Sequence, residues 1–295
     1  MLVSSGTARF GAGTMRSKVL LERRFWAHVV ERDGLVFDAR FVPGAAGRPG
    51  NAVVYLLLEG TVAVLAPVET RFVGPAAFLL DEAQFEGADG RRSFVFRSTG
   101  SPFVAFELRL SPEDVVATAP SRPAILASDE RTWAAVRAVV QLDGSSASQL
   151  AAATVEVLAS LAELGVVRPD LARGVVEGDA RFARVWAGLR PIFERFYVMP
   201  TLDELASGTG LSLRQVAREV KEFTLAFRLM ESGWRDATRR TRFKFAILGL
   251  SAADNSIADV ARAAGYGSTD AMARAFRDAG LPPPLTVQAA LRAAP

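Results

Sequence analysis

The spacing of apolar residues changes once along the 295-residue chain, and this change divides it into a β-rich part and a helical part. Between Leu35 and about Leu110, short β-branched or aromatic runs are separated by Gly, Pro and Asp, a pattern typical of strands. From Val104 to Leu110, apolar residues alternate with a second set that includes Glu107 and Arg109, which predicts a half-buried strand. Many short strands at even spacing predict a small β-barrel or jelly roll.

Two apolar runs on either side of Glu59-Gly60 form the clearest local strand signal. The first extends from Val53 to Leu58, and the second extends from Thr61 to Leu65. A short Gly-containing segment between two strand-like runs is typical of a tight turn. We therefore expect a β-hairpin whose chain reverses at Glu59-Gly60.

From about Ile125 the apolar spacing becomes helical, with intervals of three and four residues. The apolar stripes of three predicted helices are Trp133, Val136, Val139 and Val140; Leu150, Val155, Leu158, Leu161 and Leu164; and Phe182, Val185, Trp186 and Leu189. Such stripes need a partner, so we expect a helical connector or a homodimer surface in this region. The predicted domains of this α+β, multi-domain chain are residues 1–120, 121–198 and 199–295.

The chain contains no Cys and a single His, His28, which excludes several classes of site. Disulfide scaffolds, Cys-ligated zinc, iron–sulfur clusters, thiol nucleophiles and three-histidine zinc sites all need more of these residues. A Ser-His-Asp triad needs only one His, but the Gly-x-Ser-x-Gly turn that often carries its serine does not occur. We therefore expect no metal, no cofactor and no enzymatic activity, with His28 before the barrel in a packing or surface role.

The excess of basic residues lies in the last third of the chain. Residues 1–189 hold 20 basic and 21 acidic side chains, a net charge of −1, whereas residues 190–295 hold 15 and 11, a net charge of +4. Such an asymmetry favours nucleic-acid binding by the C-terminal part.

The sequence predicts no membrane partner. Its apolar runs, such as Ala52 to Leu58, are much shorter than the roughly 18 residues of a membrane span. The N-terminus also lacks the apolar core of a signal peptide. We therefore expect a cytoplasmic protein.

A helix-turn-helix pattern begins at Thr201. Thr201 followed three residues later by Glu204 is a capping box, which predicts the start of a short helix. Gly210 supplies the turn, and Ser212 can cap a second helix whose apolar residues pack inward. The outer side of this second helix carries Arg214, Gln215, Arg218 and Lys221.

A similar pattern begins at Ser256 and has its turn at Gly265. Ile257 and Val260 correspond to the inward-facing leucines of the first copy, and Ser268 caps the second helix. The turn is one residue longer than in the first copy. The outer side of the second helix carries Thr269, Asp270, Ala273, Arg274 and Arg277.

The tail SIADVARAAGYGSTDAMARAFRDAGLPPP, residues 256–284, resembles the C-terminal signature of AraC/XylS-type transcription regulators. In that family, Ile-Ala-Asp-Val-Ala leads to Gly-Tyr/Phe-x-Ser, then to a helix with Arg-Ala-Phe-Arg/Lys and to Gly-x-x-Pro. Arg242 to Leu250 is similar to the family's connecting helix. The resemblance covers residues 199–290, about a third of the chain, although Met272 stands where an aromatic residue is common.

The resemblance implies an all-α C-terminal domain with two helix-turn-helix units, which bind adjacent major-groove segments of double-stranded DNA. In the first unit we expect Arg214 and Arg218 to read bases beside Gln215, because Arg can bridge guanine O6 and N7. In the second unit the candidates are Thr269, Asp270, Ala273 and Arg274. We expect Lys221 and Arg277, further along each helix, to meet phosphate.

The resemblance also implies an N-terminal sensor, since the segment from Leu58 to Leu80 is similar to the family's cupin-like sensors. Cupin-like barrels often bind metal through two or more histidines, which this chain lacks, so we expect a sensor without metal. An aromatic-lined interior could hold a small-molecule effector, and the candidates are Tyr55, Phe94, Phe96 and Phe106. The alternative is that these rings only fill a core.

These observations predict a sequence-specific transcription regulator, by family resemblance an activator that contacts RNA polymerase. Two alternatives stay open, a metal-free barrel enzyme fused to a DNA-binding tail and a ligand-independent repressor. Activity of the barrel on a small molecule would favour the first alternative, and DNA binding that needs no ligand would favour the second.

Overall fold

The computed structural model describes residues 1–43, 51–65, 68–81, 95–117, 124–143, 146–174, 180–195, 200–227, 229 and 234–293. Along the chain, the strands of an antiparallel sheet come first and the helices follow, which confirms the predicted α+β class. Within these ranges, no helix combines the length and the apolar character that a membrane crossing requires.

The sheet is built from two long central strands and shorter strands on either side. The strands are β1 (Leu2–Phe10), β2 (Gly13–Leu21), β3 (Phe25–Asp33), β4 (Phe37–Asp38), β5 (Ala52–Leu65), β6 (Glu69–Val73), β7 (Ala76–Asp81), β8 (Val95–Leu110) and β9 (Ala124–Ile125). They pair in the order β1-β2-β3-β8-β5-β7-β9, while β4 pairs with β8 and β6 pairs with β5. β5 and β8 therefore hold the sheet together.

The first three strands precede the region in which the sequence predicts strands. β1 has the sequence LVSSGTARF and β2 has the sequence GTMRSKVLL. Small and polar residues interrupt the alternation of apolar residues in both, so the pattern does not indicate a strand. The two strands pair along their full lengths, and β2 also pairs with β3, so backbone hydrogen bonds define them. His28, expected before the barrel, lies within the sheet on β3.

The predicted hairpin at Glu59-Gly60 is wrong, because the chain does not reverse there. β5 is one strand of 14 residues, which pairs with β7 before this point and with β6 after it. Its register against β8 shifts on both sides of Glu59, and Gly60 adopts φ +94°, so the strand bends at a β-bulge. A Cβ at Gly60 would lie 2.8 Å from the carbonyl oxygen of Thr99, so both conformation and space favour glycine.

One face of the sheet is covered by the first two helices. The helices of the described residues are α1 (Glu130–Gln141), α2 (Ala147–Glu163), α3 (Ala180–Arg195), α4 (Leu202–Thr209), α5 (Leu213–Ala226), α6 (Trp234–Ser251), α7 (Ile257–Ala263), α8 (Thr269–Asp278) and α9 (Pro284–Arg292). Val136 of α1 and Leu158 of α2 are fully buried in one cluster with Val54 and Leu108 of the sheet. The apolar stripes of α1 and α2 therefore find their partner within the same chain.

The opposite face of the sheet packs against the later helices. Leu2 and Val19 join α3, α4 and α5 in one apolar cluster. Phe41 joins a second cluster, formed by α6, α7, α8 and α9, and Phe10 packs near Phe245 of α6. Both ends of the C-terminal region are therefore attached to the sheet.

The contact between β1 and α3 is a backbone-to-backbone approach. A Cβ built at Gly6 would lie 2.3 Å from the carbonyl oxygen of Glu194 and 2.6 Å from that of Phe193. Since neither carbonyl belongs to a flexible side chain, only glycine fits at this crossing.

We predict that Gly6→Ala lowers the free energy of unfolding by about 1–3 kcal/mol, because the added methyl group forces α3 away from the sheet. Gly208→Ala in α4 is the matched control, since a Cβ there meets no atom within 4 Å. This second change should raise the free energy of unfolding by up to about 1 kcal/mol, through helix propensity alone. Urea unfolding measures both, and equal stability of the Gly6 variant and the parent would refute the close approach.

Candidate functional site

Two pairs of helices joined by short turns stand at the places that the sequence predicts. In the first helical pair (α4 and α5), Thr201 Oγ1 accepts from the backbone N–H of Glu204 at 3.1 Å, and a Glu204 carboxylate oxygen accepts from the N–H of Thr201 at 2.6 Å. This is the predicted capping box, and it begins α4. Gly210 follows α4 with φ 69°, a conformation that suits glycine and turns the chain toward α5.

A second capping box begins α5. The backbone N–H of Gln215 donates to Ser212 Oγ at 3.4 Å, as predicted, and the Gln215 side-chain oxygen accepts from the N–H of Ser212 at 3.0 Å. The Ser212 hydroxyl also donates to that oxygen at 2.7 Å. Gln215 therefore stabilises the start of the helix. A Gln side chain can bridge adenine N6 and N7 in the major groove, but Gln215 would first have to break these hydrogen bonds to do so.

The second helical pair (α7 and α8) repeats this arrangement with a longer turn. Ser256 caps α7 through the N–H of Asp259 at 3.1 Å, and Ser268 caps α8 through the N–H of Ala271 at 3.1 Å. Gly265 adopts φ 76° in the turn between them. Residues 264–268 separate these helices, whereas residues 210–212 separate the first pair, so the connection is two residues longer and not one, as predicted, because α7 already ends at Ala263, two residues before its turn glycine. The turns of the two helical pairs therefore differ in length and cannot be superposed residue by residue.

The outer surface of α5 and α8 carries every residue that the sequence predicts to contact DNA. Exposed side chains there are Arg214, Gln215, Arg218 and Lys221 on α5, and Thr269, Asp270, Ala273, Arg274 and Arg277 on α8. The opposite side of each helix is buried through Val216 and Phe223 on α5 and through Met272 and Phe276 on α8. Each helix therefore presents one polar face and one core face.

The cations of this outer surface have no ion-pair partner among the described residues, and Arg214, Arg218 and Arg274 are the clearest examples. Arg262 of α7 differs, because it is paired with Asp259 at 3.2 Å. Positive charge that is exposed and unneutralised is available to a polyanion.

A cavity of about 310 Å³ lies between the sheet and the C-terminal helices. Its sheet side is formed by alternate residues of β2, β3, β5 and β8, and its helical side is formed by α3, α5 and α6. The surfaces that enclose it are mostly apolar, as in sites for small organic molecules.

Two of the four predicted effector residues line this cavity. The rings of Tyr55 and Phe96 stack there with their centroids 5.2 Å apart. Phe106 lies on the other face of the sheet, in the core under α1 and α2, because successive side chains of β8 point to opposite faces. Phe94 falls outside the described residues.

The polar residues of the cavity are the ones that sequence reasoning missed. His28 and Arg32 on β3 and Glu107 and Arg109 on β8 line it, together with Lys244 of α6. The alternation along β8 already places Glu107 and Arg109 on one face, but this face becomes a cavity only because α3, α5 and α6 pack over it. The same alternation applied to β3, which precedes the predicted strands, would have placed His28 and Arg32 on one face of that strand. Because β3 pairs with β8, this is the face that carries Glu107.

His28 belongs to a hydrogen-bonded cluster. Its Nε2 lies 2.7 Å from Ser17 Oγ, and its Nδ1 lies 3.7 Å from a Glu107 carboxylate oxygen. Arg109 Nε donates to the other Glu107 oxygen at 2.5 Å, and the Arg109 guanidinium lies 4.8 Å from the Trp26 ring centroid. Burial lowers the pKa of His28, and Glu107 offsets this only in part.

Glu107 stays ionised in this cluster. Burial raises the pKa of the Glu107 carboxyl, but the charge of Arg109 and the contact with His28 outweigh burial and bring this pKa below its usual range. Among the described residues there is no group of three His, Cys, Asp or Glu side chains that could hold a metal ion.

Arg32 is the most isolated charge in the cavity. Its Nη2 donates to Ser98 Oγ, and its guanidinium lies 4.2 Å from the Phe103 ring centroid. Its Nε and Nη1 are buried without a hydrogen-bond partner. Burial lowers the pKa of Arg32 to about 9, which reflects how little the surroundings stabilise its charge.

No protein-family model matches the chain, and no curated protein sequence does. Among solved structures, ToxT from Vibrio cholerae is similar at 10% identity and a TM-score of 0.38 over 90% of this chain and 98% of that chain. A DNA-binding transcriptional dual regulator from Escherichia coli K-12 is similar at 19% identity and a TM-score of 0.30, over 40% of this chain and 97% of that one. The Schizosaccharomyces pombe Cnp3 cupin domain is similar at 15% identity and a TM-score of 0.23, over 35% and 67%.

We predict that His28 makes the protein less stable as the pH falls below about 6.5. The pKa of His28 is lower in the folded protein than in the unfolded chain, so below that pH the unfolded chain binds a proton that the folded protein does not. The free energy of unfolding should then fall by up to about 1.4 kcal/mol per pH unit.

Because His28 is the only histidine, His28→Gln should remove this dependence. Urea unfolding of both proteins at about pH 7.5 and about pH 5.5, on either side of the ordinary histidine pKa, measures it. The same loss of stability in both proteins would show that another group is responsible.

Proposed function

We propose that this chain is a sequence-specific DNA-binding transcription regulator of the AraC/XylS type. The observation that supports the proposal most directly is the pair of exposed basic faces on α5 and α8, each on the second helix of a helical pair. Arg214, Arg218 and Arg274 have no ion-pair partner in the described part of the chain. The resemblance of residues 199–290 to the family's C-terminal signature points to the same function.

In the proposed complex, α5 and α8 each enter the major groove. Two such helices on one domain reach segments about one helical turn apart, roughly 34 Å. Arg214, Arg218 and Arg274 would read guanine, and Asp270 would accept from the amino group of cytosine. Lys221 and Arg277, one to two turns further along, would contact phosphate.

The cavity provides a place from which a small-molecule effector would act on DNA binding. It is enclosed by the sheet on one side and by α3, α5 and α6 on the other, so an occupant would contact the sensor part and the DNA-binding part together. A ligand that binds one arrangement of these parts more tightly shifts the population toward that arrangement. The proposal also includes activation through RNA polymerase, a homodimer and a cytoplasmic location. Its domains are residues 1–120, 121–198 and 199–295.

A metal-free enzyme is the second candidate, because Ser17, His28 and Glu107 form a Ser–His–carboxylate series within the cavity. Ser17 lies in the middle of β2, paired with Gly6 on one side and with Val30 on the other. The backbone N–H groups around it are therefore used by the sheet and cannot form an oxyanion hole. Covalent labelling of Ser17 by a fluorophosphonate would favour the enzyme over a regulator without activity.

We predict that Arg214→Ala combined with Arg274→Ala lowers specific DNA affinity at least about 30-fold, because each arginine contributes about 1–3 kcal/mol of base discrimination. Genomic footprinting of the tagged protein first supplies the operator sequence. Footprinting on this operator with and without cell extract, as a source of the effector, then separates a ligand-dependent regulator from a ligand-independent repressor. A gel shift then measures retention, and circular dichroism verifies the fold. Arg71→Ala, at an exposed arginine of β6, is the matched control, and unchanged retention by the double variant would refute the proposed contacts.

Lys221 allows a different prediction, since a phosphate contact carries no sequence information. Lys221→Gln should weaken binding to all DNA sequences alike and reduce the slope of log affinity against log salt concentration by about 0.9. Titrations of operator and unrelated DNA at several salt concentrations measure both effects. A loss confined to the operator would instead place Lys221 at a base.

A further inference from the structure

Helices α5 and α8 turn the same positions outward when positions are counted from the serine that caps each helix. Ser212 Oγ and Ser268 Oγ each accept from the backbone N–H of the third residue beyond, at 3.4 Å and 3.1 Å. In both helices the fourth and eighth positions after the serine are buried, whereas the first, second, fifth, sixth and ninth are exposed. The two helices therefore have the same rotational setting about their own axes, and the same five positions of each face outward.

The outward positions of α5 and α8 can be compared one by one. In order along the helices, the pairs are Leu213 and Thr269, Arg214 and Asp270, Ala217 and Ala273, Arg218 and Arg274, and Lys221 and Arg277. The fifth and sixth positions carry the same dipeptide, Ala-Arg, in both helices, whereas the second position carries opposite charges. The two outward surfaces are thus identical at their centre and differ toward their N-terminal ends.

The shared Ala-Arg dipeptide indicates which bases the two helices would have in common. An exposed arginine bridges guanine O6 and N7 in the major groove, and an alanine has only a methyl group, whose partner there is the methyl group of thymine. Arg218 and Arg274 have no ion-pair partner within the described ranges, so no carboxylate has to be displaced. Ala217 is not among the residues that the sequence predicts to contact DNA, and its equivalence with Ala273 assigns it to that surface.

The second outward position separates the two helices. Arg214 of α5 can bridge guanine, whereas Asp270 of α8 can only accept, and the amino group of cytosine is its partner. Guanine and cytosine are the two halves of one base pair. At this position the two helices would therefore read the same base pair in opposite orientations.

We propose that the DNA site contains one short element twice, once under α5 and once under α8. In each copy a guanine meets Arg218 or Arg274, and a thymine meets Ala217 or Ala273. The copies differ at a third base pair, where the second outward position selects guanine under α5 and cytosine under α8. The proposal rests on the proposed function and deepens it, because it specifies the DNA sequence that the two helices would read.

The first test is the selection of binding sites from random-sequence duplexes by the full chain. A low-molecular-mass fraction of cell extract is present as a source of effector. We expect two segments whose centres are about 10 base pairs apart, each with a guanine and a thymine at the same distance from each other. A selected site whose segments share no such element would overturn this proposal and leave the proposed function intact, whereas no enrichment of any sequence would overturn both.

Single variants connect each guanine to its arginine. Arg218→Ala should lower the preference for guanine about tenfold in one segment only, and Arg274→Ala should do the same in the other segment only. Arg262→Ala is the matched control, because this exposed arginine of α7 is already paired with Asp259, and its loss should change no base preference. Loss of neither guanine in the two variants, or of both guanines in either one, would overturn the proposed element.

The variant Asp270→Arg gives the second outward position of α8 the side chain that α5 carries there. We expect the cytosine preference at this base pair to become a guanine preference, so that the two segments agree at all three base pairs. Asp270 also lies in the first turn of α8, where the helix dipole favours a negative charge. If this is its whole role, the variant lowers the unfolding temperature but keeps the cytosine preference, and that result would overturn the assignment of Asp270 to a base.

The thymine contact is tested with deoxyuridine, which lacks only the methyl group of thymine. In place of a shared thymine it should weaken binding about fourfold, as expected for one buried methyl group, whereas the same replacement outside the two segments should have no effect. In Ala273→Gly, with its fold verified by circular dichroism, thymine and deoxyuridine in the segment under α8 should bind alike. An undiminished difference between them in this variant would overturn the alanine contact.

Discussion

The alternation of side chains along β3, β5 and β8 determines how the whole chain is assembled. Residues such as Val54 and Leu108 point to one face and are covered by α1 and α2, whereas Tyr55 and Glu107 point to the other, where the cavity lies. Since the side chains of a strand alternate with a period of two, one strand can contribute to the apolar core on one face and to the cavity on the other. A shift of register by one residue would exchange the two surfaces and destroy both.

The two faces of the sheet differ in what they bury. The face under α1 and α2 is apolar, but the opposite face contains Arg32 and His28, whose side chains are buried with nitrogen atoms that lack a hydrogen-bond partner. Such groups reduce stability in the absence of a partner, and natural proteins tolerate them where they serve recognition. The apolar clusters on either side of the cavity, around Phe223 and Phe276, provide the stability that allows this.

Local signals allowed the helical pairs to be predicted from the sequence, because a capping box or a helix-ending glycine acts over three or four residues. Thr201 with Glu204, and Gly210, are such signals. Gly60 was misread because glycine permits a β-bulge as readily as a turn, and only the partners of β5 distinguish them. The polar side of the cavity could not be predicted, since the face that carries Glu107 is covered by α3, α5 and α6, helices that lie more than 70 residues further along the chain, and no local pattern encodes such a contact.

The unequal turns of the two helical pairs have a consequence for the DNA that such a protein would occupy. The five residues of 264–268 and the three of 210–212 give α8 and α5 different settings on their supporting helices, and their outer residues also differ. A single copy therefore has no internal two-fold axis, unlike a dimer of identical subunits. In the proposed complex the DNA site is not a palindrome, its two ends can be told apart, and the bound protein has a direction along the helix axis.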